Sequence, residues 1–365
     1  MSGFFIKESS FDFIIASVKC AGTIYAANFS KSKLRNMKSK HLIHKKSTPL
    51  KTPIKQIVIV FKENHGFDNY FGTFPGANGV SNLPHLPDPP LADPVHTHEA
   101  WLKRSTNAVK GQYYQSDIPN YFSLAKQFTL CDNYYTDVAG PSTPNHLMLI
   151  AADSPVINNP HAKDPKQYRP PFNIPSLPEN LQKAGLEWKN YGGYVFDYIT
   201  NLQKNPRNVT AGQFAHDAAA GKVPNVSWVY GPKNLSEHPT ENVADGDAWT
   251  AAQIKAIIAG GLWPSTAIFI TWDDWGGWYD HVNPPEVEKW TDGSQFRYGN
   301  RVGCIVAGPY AKSGYISKAL HSHVSLLKFC ETIFGLSPIN KRDNSSDDML
   351  DCFDFSQKPL PAPKL

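Results

Sequence analysis

The sequence predicts an α/β protein built on a mostly parallel central sheet, and three observations carry that prediction. Short apolar runs rich in β-branched residues, 57–61 (IVIVF), 226–230 (VSWVY) and 266–271 (TAIFIT), have the character of strands covered on both faces. Segments with helical spacing alternate with these runs, as in βαβ units. Two of the runs stop abruptly on carboxylates, Glu63 after the first and Asp273 with Asp274 after the last. In an open α/β sheet the ligand site lies just beyond the carboxyl ends of the strands, so such residues belong to a site.

Along the chain, residues 1–52 read as a leader and basic linker. The apolar stretch 11–18 (FDFIIASV) and the small residues of 21–27 have the pattern of a secretory leader interrupted by Asp12 and Lys19, which is compatible with a secreted or periplasmic protein. A catalytic domain is expected over 53–355 and a Pro-rich extended tail over 356–365. Within the domain, Gly66 is read as a bend after the first strand. Residues 72–94, dense in Gly, Pro and Asn, form a loop over the site. Residues 118–128 are helical, 129–137 (TLCDNYYTD) form a strand, and Leu147 to Ala152 continue a helix begun near Pro144. Further helices are expected over 209–220, 248–258 and 323–334, and further strands over 186–191 and 302–307.

Composition narrows the function. Of 365 residues 41% are hydrophobic and only 19% charged, enough for a large core in a loop-rich enzyme. The net charge of +4 comes largely from Lys31 to Lys55, so the remainder is slightly acidic and nucleic acid is excluded as the main partner. No stretch outside the N-terminus approaches the roughly 20 apolar residues of a membrane span, leaving at most peripheral membrane contact. The five cysteines, Cys20, Cys131, Cys304, Cys330 and Cys352, are scattered too widely to suggest a disulfide framework or a zinc cluster.

The chemistry concentrates in three clusters about 80 to 130 residues apart, which the strand-end rule brings to one sheet edge. The first is Glu63, Asn64, His65 and Asp68; the third is Asp273, Asp274, Asp280 and His281 with Gly276 and Gly277 between. Their oxygens suit a divalent cation, with Ca²⁺, Mg²⁺ or Mn²⁺ ahead of Zn²⁺. The second cluster, 139–154 (AGPSTPNHLMLIAADS), places Ser142 and Thr143 at a helix start, where either hydroxyl suits a nucleophile or an ordinary helix cap. His98 and His238 are candidate stabilisers of phosphoryl oxygens or acids for a leaving alkoxide. His65, Asp280 and His281 are expected to brace, and Trp272, Trp275 and Trp278 to pack.

These clusters resemble the signatures of the phosphoesterases that include bacterial and plant non-specific phospholipases C and related acid phosphatases. Glu63 to Asp68 is similar to their Glu-Asn-His-Ser-Phe-Asp with Gly66 for Ser. Gly140 to His146 is similar to Gly-Pro-Ser/Thr-x-Pro-Asn-Arg with His146 for Arg, and Asp273 to Val282 to Asp-Glu-x-Gly-Gly-x-Tyr-Asp-His-Val with Asp274 for Glu. The resemblance implies an alkaline-phosphatase-like α/β/α sandwich that hydrolyses phosphate esters, with a phospholipid as the first substrate choice and a phosphomonoester as the alternative. It further implies a phosphoserine at Ser142, one divalent cation on Glu63, Asn64, Asp273 and Asp274, and histidines flanking the phosphate at His238 and His98. A catalytically silent relative that binds phosphate or lipid is the reading from another class.

Overall fold

In the computed structural model, which describes residues 13–20, 23–30, 48–285 and 298–365, the chain divides into two units, residues 1–46 and 47–365. In the first, β1 (Phe13–Cys20) and β2 (Thr23–Ser30) pair antiparallel as a hairpin. The described part of the leader-like stretch is therefore strand. Most of the remaining leader and basic linker expected there lies outside the described residues.

The second unit is organised on strands β3 (Gln56–Lys62), β4 (Thr129–Cys131), β5 (Tyr134–Tyr135), β6 (Trp188–Tyr191), β7 (Asn208–Val209), β8 (Val226–Tyr230), β9 (Thr266–Trp272), β10 (Cys304–Ala307), β11 (Tyr315–Ser317) and β12 (His321–Ser322). Eight of them form one sheet in the order β11-β4-β10-β9-β3-β8-β6-β7, and β12 pairs separately with β5. Among the described strands of the large sheet only β10 runs against its neighbours. Ile57 to Phe61 in β3 are all buried, on both faces of the pleat. Each such side chain contributes roughly 1.5–3 kcal/mol when fully buried.

Two sets of helices accompany the sheet. The helix Ser142–Ala151 packs on His323–Phe334 and on Leu177–Lys183; the helix Val243–Ala259 packs on Pro119–Gln127 and on Gln213–Ala219. The helix His323–Phe334 has the bounds expected from its spacing, because both stops are local: a Ser322/Ser325 capping box opens it and Gly335, at φ +67, closes it. The strand expected over 129–137 is different. It breaks at Asp132 and Asn133 into β4 and β5, which join different sheets, since Asp132 turns its carboxylate to Asn78 N–H and to Lys318. The cluster around Ser142 thus follows a short outlying strand, not one of the central ones. The C-terminal tail lies along 309–311, where Leu360 N–H donates to Pro309 O at 2.8 Å.

The positions of these helices have a pH consequence. Glu331, on the inward side of His323–Phe334, is 1% exposed. Burial, then the hydrogen bond and charge of Asp343, push its carboxyl up to about 9. A carboxyl that keeps its proton only when folded adds stability below its ordinary pKa and loses that stability as pH rises through the folded value. Glu331→Gln is therefore expected to match the parent near pH 4 and to gain progressively above it, by ~1–3 kcal/mol at pH 9. Thermal unfolding of both proteins at pH 4, 7 and 9 measures the difference.

Candidate active site

Strand register assembles the site. β3 lies between β8 and β9 and is parallel to both, with Phe61 opposite Tyr230 and Lys62 opposite Trp272. The three strands therefore end together, and the next residues, Glu63 and Asn64, Asp273 and Asp274, and the loop bearing His238, share one edge. Asp273 N–H donates to Lys62 O at 2.9 Å, and Asn64 N–H donates to Asp273 Oδ1 at 2.8 Å across 209 positions of sequence. The tight backbone position here is not Gly66, whose φ of −78 any residue adopts. It is Asn64, at φ +56, a conformation that Asn tolerates better than most side chains. A Cβ on Gly66 would have its nearest neighbour at 3.6 Å, which leaves room for the serine of the similar motif. Gly276 is the glycine that geometry requires: at φ +57, an added Cβ would fall 2.0 Å from Asn64 O.

Ser142 comes in from a fourth direction. Pro141 is the N-cap and Ser142 the first helical residue, so its hydroxyl does not cap the helix. Instead Ser142 Oγ lies 3.1 Å from Asp274 Oδ2 and 3.3 Å from Asn64 Oδ1. Thr143 faces away: its Oγ1 meets Tyr194 Oη at 2.9 Å and its N–H donates to Asn159 Oδ1 at 2.8 Å. Asn145 explains the shape of the preceding loop, because its amide accepts from Val138 N–H and donates to the carbonyls of Val138, Gly140 and Pro141.

The orientation of the Asn64 amide is set by two histidines. His238 Nδ1 donates to Pro239 O at 2.6 Å and His96 Nδ1 to Pro94 O at 2.7 Å, which leaves the Nε2 lone pair of each neutral ring as an acceptor. These lone pairs lie 3.0 and 3.3 Å from Asn64 Nδ2. The amide oxygen is thereby turned toward Asp273 Oδ1 at 2.9 Å, Asp273 Oδ2 at 3.2 Å, Glu63 Oε2 at 3.3 Å and Ser142 Oγ at 3.3 Å. Reversing the amide would quiet that repulsion only by forcing a proton onto His238 Nε2. Acceptor oxygens facing one another in this way fit a shared cation, whose ligands they become.

Electrostatics agree with that fit. Burial, then the charges of Asp273 and Asp274, push the Glu63 carboxyl well above its ordinary range, and burial with Asp273 does the same to Asp274. Burial also opposes the charge on Asp273, but the hydrogen bond and charge of His146, with Asn64 N–H and Ser142, outweigh it and hold this carboxyl at about 2. His146 Nε2 lies 3.1 Å from Asp273 Oδ2 and 3.6 Å from Glu63 Oε1. Glu63, His146 and Asp273 thus form a set with one ligand atom each within 4.8 Å of the others. The replacement of the motif Arg by His146 puts a nitrogen donor where a guanidinium is expected.

The family model described as "Phosphoesterase family" matches residues 54–90 and 95–337. The chain belongs to the phosphoesterase family. Among its relatives, Phospholipase C A of Mycobacterium tuberculosis is 27% identical, covering 84% of this chain and 78% of its own length. Non-hemolytic phospholipase C of Pseudomonas aeruginosa is 25% identical over 84% of this chain and 58% of its own. Non-specific phospholipase C6 of Arabidopsis thaliana is 25% identical over 78% and 69%. A solved structure from work on glycosaminoglycan metabolism by Bacteroides thetaiotaomicron is similar in fold, with a TM-score of 0.50 and 11% identity over 85% of this chain and 79% of that one. The protein is a phosphoester hydrolase.

Some supports of this phosphoesterase site, His96, Lys62 and Glu237, are not marked by any local pattern in the sequence, whereas others stand where the sequence predicts them. Of the two histidines in residues 96–101 (HTHEAW), His96 and His98, it is His96 that reaches Asn64, and it lies 4.0 Å from Asp274 Oδ2. His98, the expected one, turns Nδ1 to Ala139 O at 2.6 Å and braces the loop before Ser142. Lys62 sits in the apolar strand β3 with Nζ 3.1 Å from Glu237 Oε1, both side chains fully buried. Tyr70, Tyr121 and Trp272 also donate to Glu237, which fixes the residue next to His238. His65 braces, contacting Asn69 Oδ1 and Glu237 O. Asp280 and His281 anchor their loop through Asp68 and the buried Arg301. His323 donates from Nε2 to Asp273 O at 2.8 Å, and burial holds it down to about 4. Trp272, Trp275 and Trp278 are buried packing.

Proposed function

We propose that this phosphoesterase cleaves phosphodiesters of the phospholipid type through a phosphoseryl enzyme formed on Ser142. The observation that carries the reading is the position of Ser142 Oγ, within 3.3 Å of both Asn64 Oδ1 and Asp274 Oδ2 inside a ring of carboxylates. Glu63, Asn64, Asp273 and Asp274 would hold one divalent cation, with His146 as a nitrogen neighbour. When bound, that ion supplies Lewis-acid stabilisation of the negative charge on the serine and phosphoryl oxygens. Asp274 Oδ2 accepts the serine proton. The hydroxyl attacks phosphorus at the positive end of the helix Ser142–Ala151, which favours the anion. His238, with a proton taken up on Nε2 once substrate displaces its contact with Asn64 Nδ2, donates that proton to the departing oxygen, and His96 takes the flanking place first given to His98. Water then hydrolyses the phosphoserine: the same histidine accepts the proton of the attacking water, and Asp274 returns its proton to Ser142 Oγ as that oxygen leaves phosphorus, releasing the phosphate product.

Two features favour a lipid over a small monoester. A cleft of about 660 Å³ opens beside His96 and Pro141 and is lined by Val95, Val156, Ile157 and Tyr168 among others, room for the apolar part of a substrate. The relatives named above are phospholipases C. Among the described residues no helix is long and apolar enough to cross a membrane. The test is turnover of phosphatidylcholine, bis-p-nitrophenyl phosphate and p-nitrophenyl phosphate after chelation and after return of Ca²⁺, Mg²⁺, Mn²⁺ or Zn²⁺ in turn. Diester turnover that chelation abolishes is expected. Turnover of the monoester alone would make this an acid phosphatase, and retained metal without turnover of any ester would make it a binding protein.

A further inference from the structure

Two of the cysteines that are scattered in sequence meet in space. Cys131 ends β4 and Cys352 ends the short helical turn Leu350–Cys352, and their Sγ atoms lie 3.7 Å apart. His321, in β12, brings Nε2 to 4.0 Å from Cys352 Sγ. Asp351 Oδ1 lies 3.3 Å from that nitrogen and 3.5 Å from that sulfur. Cys131, His321 and Cys352 are at most 1% exposed, whereas the Asp351 side chain is 29% exposed and opens the group to solvent.

Three of these four separations are those of a tetrahedral coordination shell, and the S···N separation is about 0.5 Å longer. A tetrahedral zinc ion with Zn–S near 2.3 Å and Zn–N or Zn–O near 2.0–2.1 Å sets S···S at about 3.8 Å, S···N and S···O at about 3.5 Å and N···O at about 3.3 Å. The outer arrangement matches as well. His321 Nδ1 lies 2.7 Å from Asp347 Oδ1, the carboxylate partner that a ligating imidazole ordinarily has on its far nitrogen. Cys304 is the cross-strand partner of Cys131 and adds a third buried thiol beside the group. A pair of core thiols alone would be ordinary packing. Two carboxylates converge on the buried imidazole next to them, and Ser317 Oγ lies 3.0 Å from its Nε2, so the group gathers sulfur, nitrogen and oxygen donors at one point.

We propose that Cys131, His321, Asp351 and Cys352 form a structural site for a thiophilic divalent ion, zinc foremost, sharing no residue with the active site. Binding displaces the proton of each thiol and, from a charged His321, the proton on Nε2. Asp351 binds as the carboxylate and no redox change occurs. Thiolate and imidazole ligands select zinc over the oxygen-preferring ions suited to the Glu63 cluster. The site joins β4 to the segment after residue 337, where the family match ends. It therefore fastens the C-terminal stretch of this chain to the edge of the sheet, where Ser317 already donates to Asp351.

Cobalt substitution of the reduced, full-length protein tests the proposal, because thiolate-to-cobalt charge transfer is visible in the near ultraviolet and oxygen ligands do not produce it. The wild type is expected to show this band, saturating at about one equivalent of thiolate-bound cobalt per chain. Cys352→Ser should lose it and Asp273→Asn, at the active site, should keep it. The wild-type spectrum decides even if Cys352→Ser fails to fold. Absence of the band in cobalt-loaded wild type, its survival in folded Cys352→Ser, or a Cys131–Cys352 disulfide in protein purified without reductant would overturn the proposal.

Discussion

Ser142→Ala is expected to lower turnover of a soluble phosphate ester by roughly 10⁴-fold or more, the scale at which loss of a nucleophile is felt when the rest of a site is intact. Thr143→Ala is expected to stay within about tenfold of the parent. The contrast rests on geometry. The two hydroxyls are neighbours on one helix turn, yet Ser142 Oγ faces Asp274 and Asn64 whereas Thr143 Oγ1 faces Tyr194. Thr143→Ala removes one hydrogen bond to Tyr194 and nothing that touches the oxygen cluster. Steady-state rates on p-nitrophenyl esters, with folding checked by circular dichroism, measure both. Loss confined to Thr143→Ala would show that the serine is not the attacking group.

Lys62→Met is expected to cost about 3–5 kcal/mol of stability, the usual penalty for stripping one partner from a buried ion pair. Glu237 would then lie in the core without its cation, with Tyr70, Tyr121 and Trp272 left to donate to it. Burial drives the Lys62 pKa down, and Glu237 opposes that shift. Removing both charges together, as Lys62→Met with Glu237→Gln, should recover part of the loss, since neither charge is left unpaired and the amide still offers an acceptor to the donors around it. Urea unfolding of the two single variants and the double variant gives the coupling. If the single Lys62→Met variant unfolded at the same urea concentration as the parent, this pair would not be holding the His238 loop.

The acidic pair after β9 and the Glu-Asn pair after β3 were legible because a strand end is a local feature, and parallel strands with buried faces leave few ways to arrange them. Their convergence follows from one register, Lys62 opposite Trp272. His96 was not legible in preference to His98. The two are separated by one residue, and the choice depends on Pro94 O and Ala139 O, which fix the rings from different loops. Gly66 invited a bend that Asn64 provides instead, because a positive φ can be taken by Asn when its side chain is held on both sides.

By itself the sequence determined the α/β architecture, the strand-end position of the carboxylate and amide oxygens and the membership of a phosphoester-cleaving family, since all of these rest on short contiguous patterns. The tertiary structure decided which hydroxyl faces the carboxylates, which histidine orients Asn64, that Lys62 meets Glu237 inside the core, and that Cys131 and Cys352 stand 3.7 Å apart. Those are pairings between segments far apart in the chain. Only the packing of strand against strand and loop against loop brings such atoms within hydrogen-bonding or coordinating distance, and no local preference encodes it.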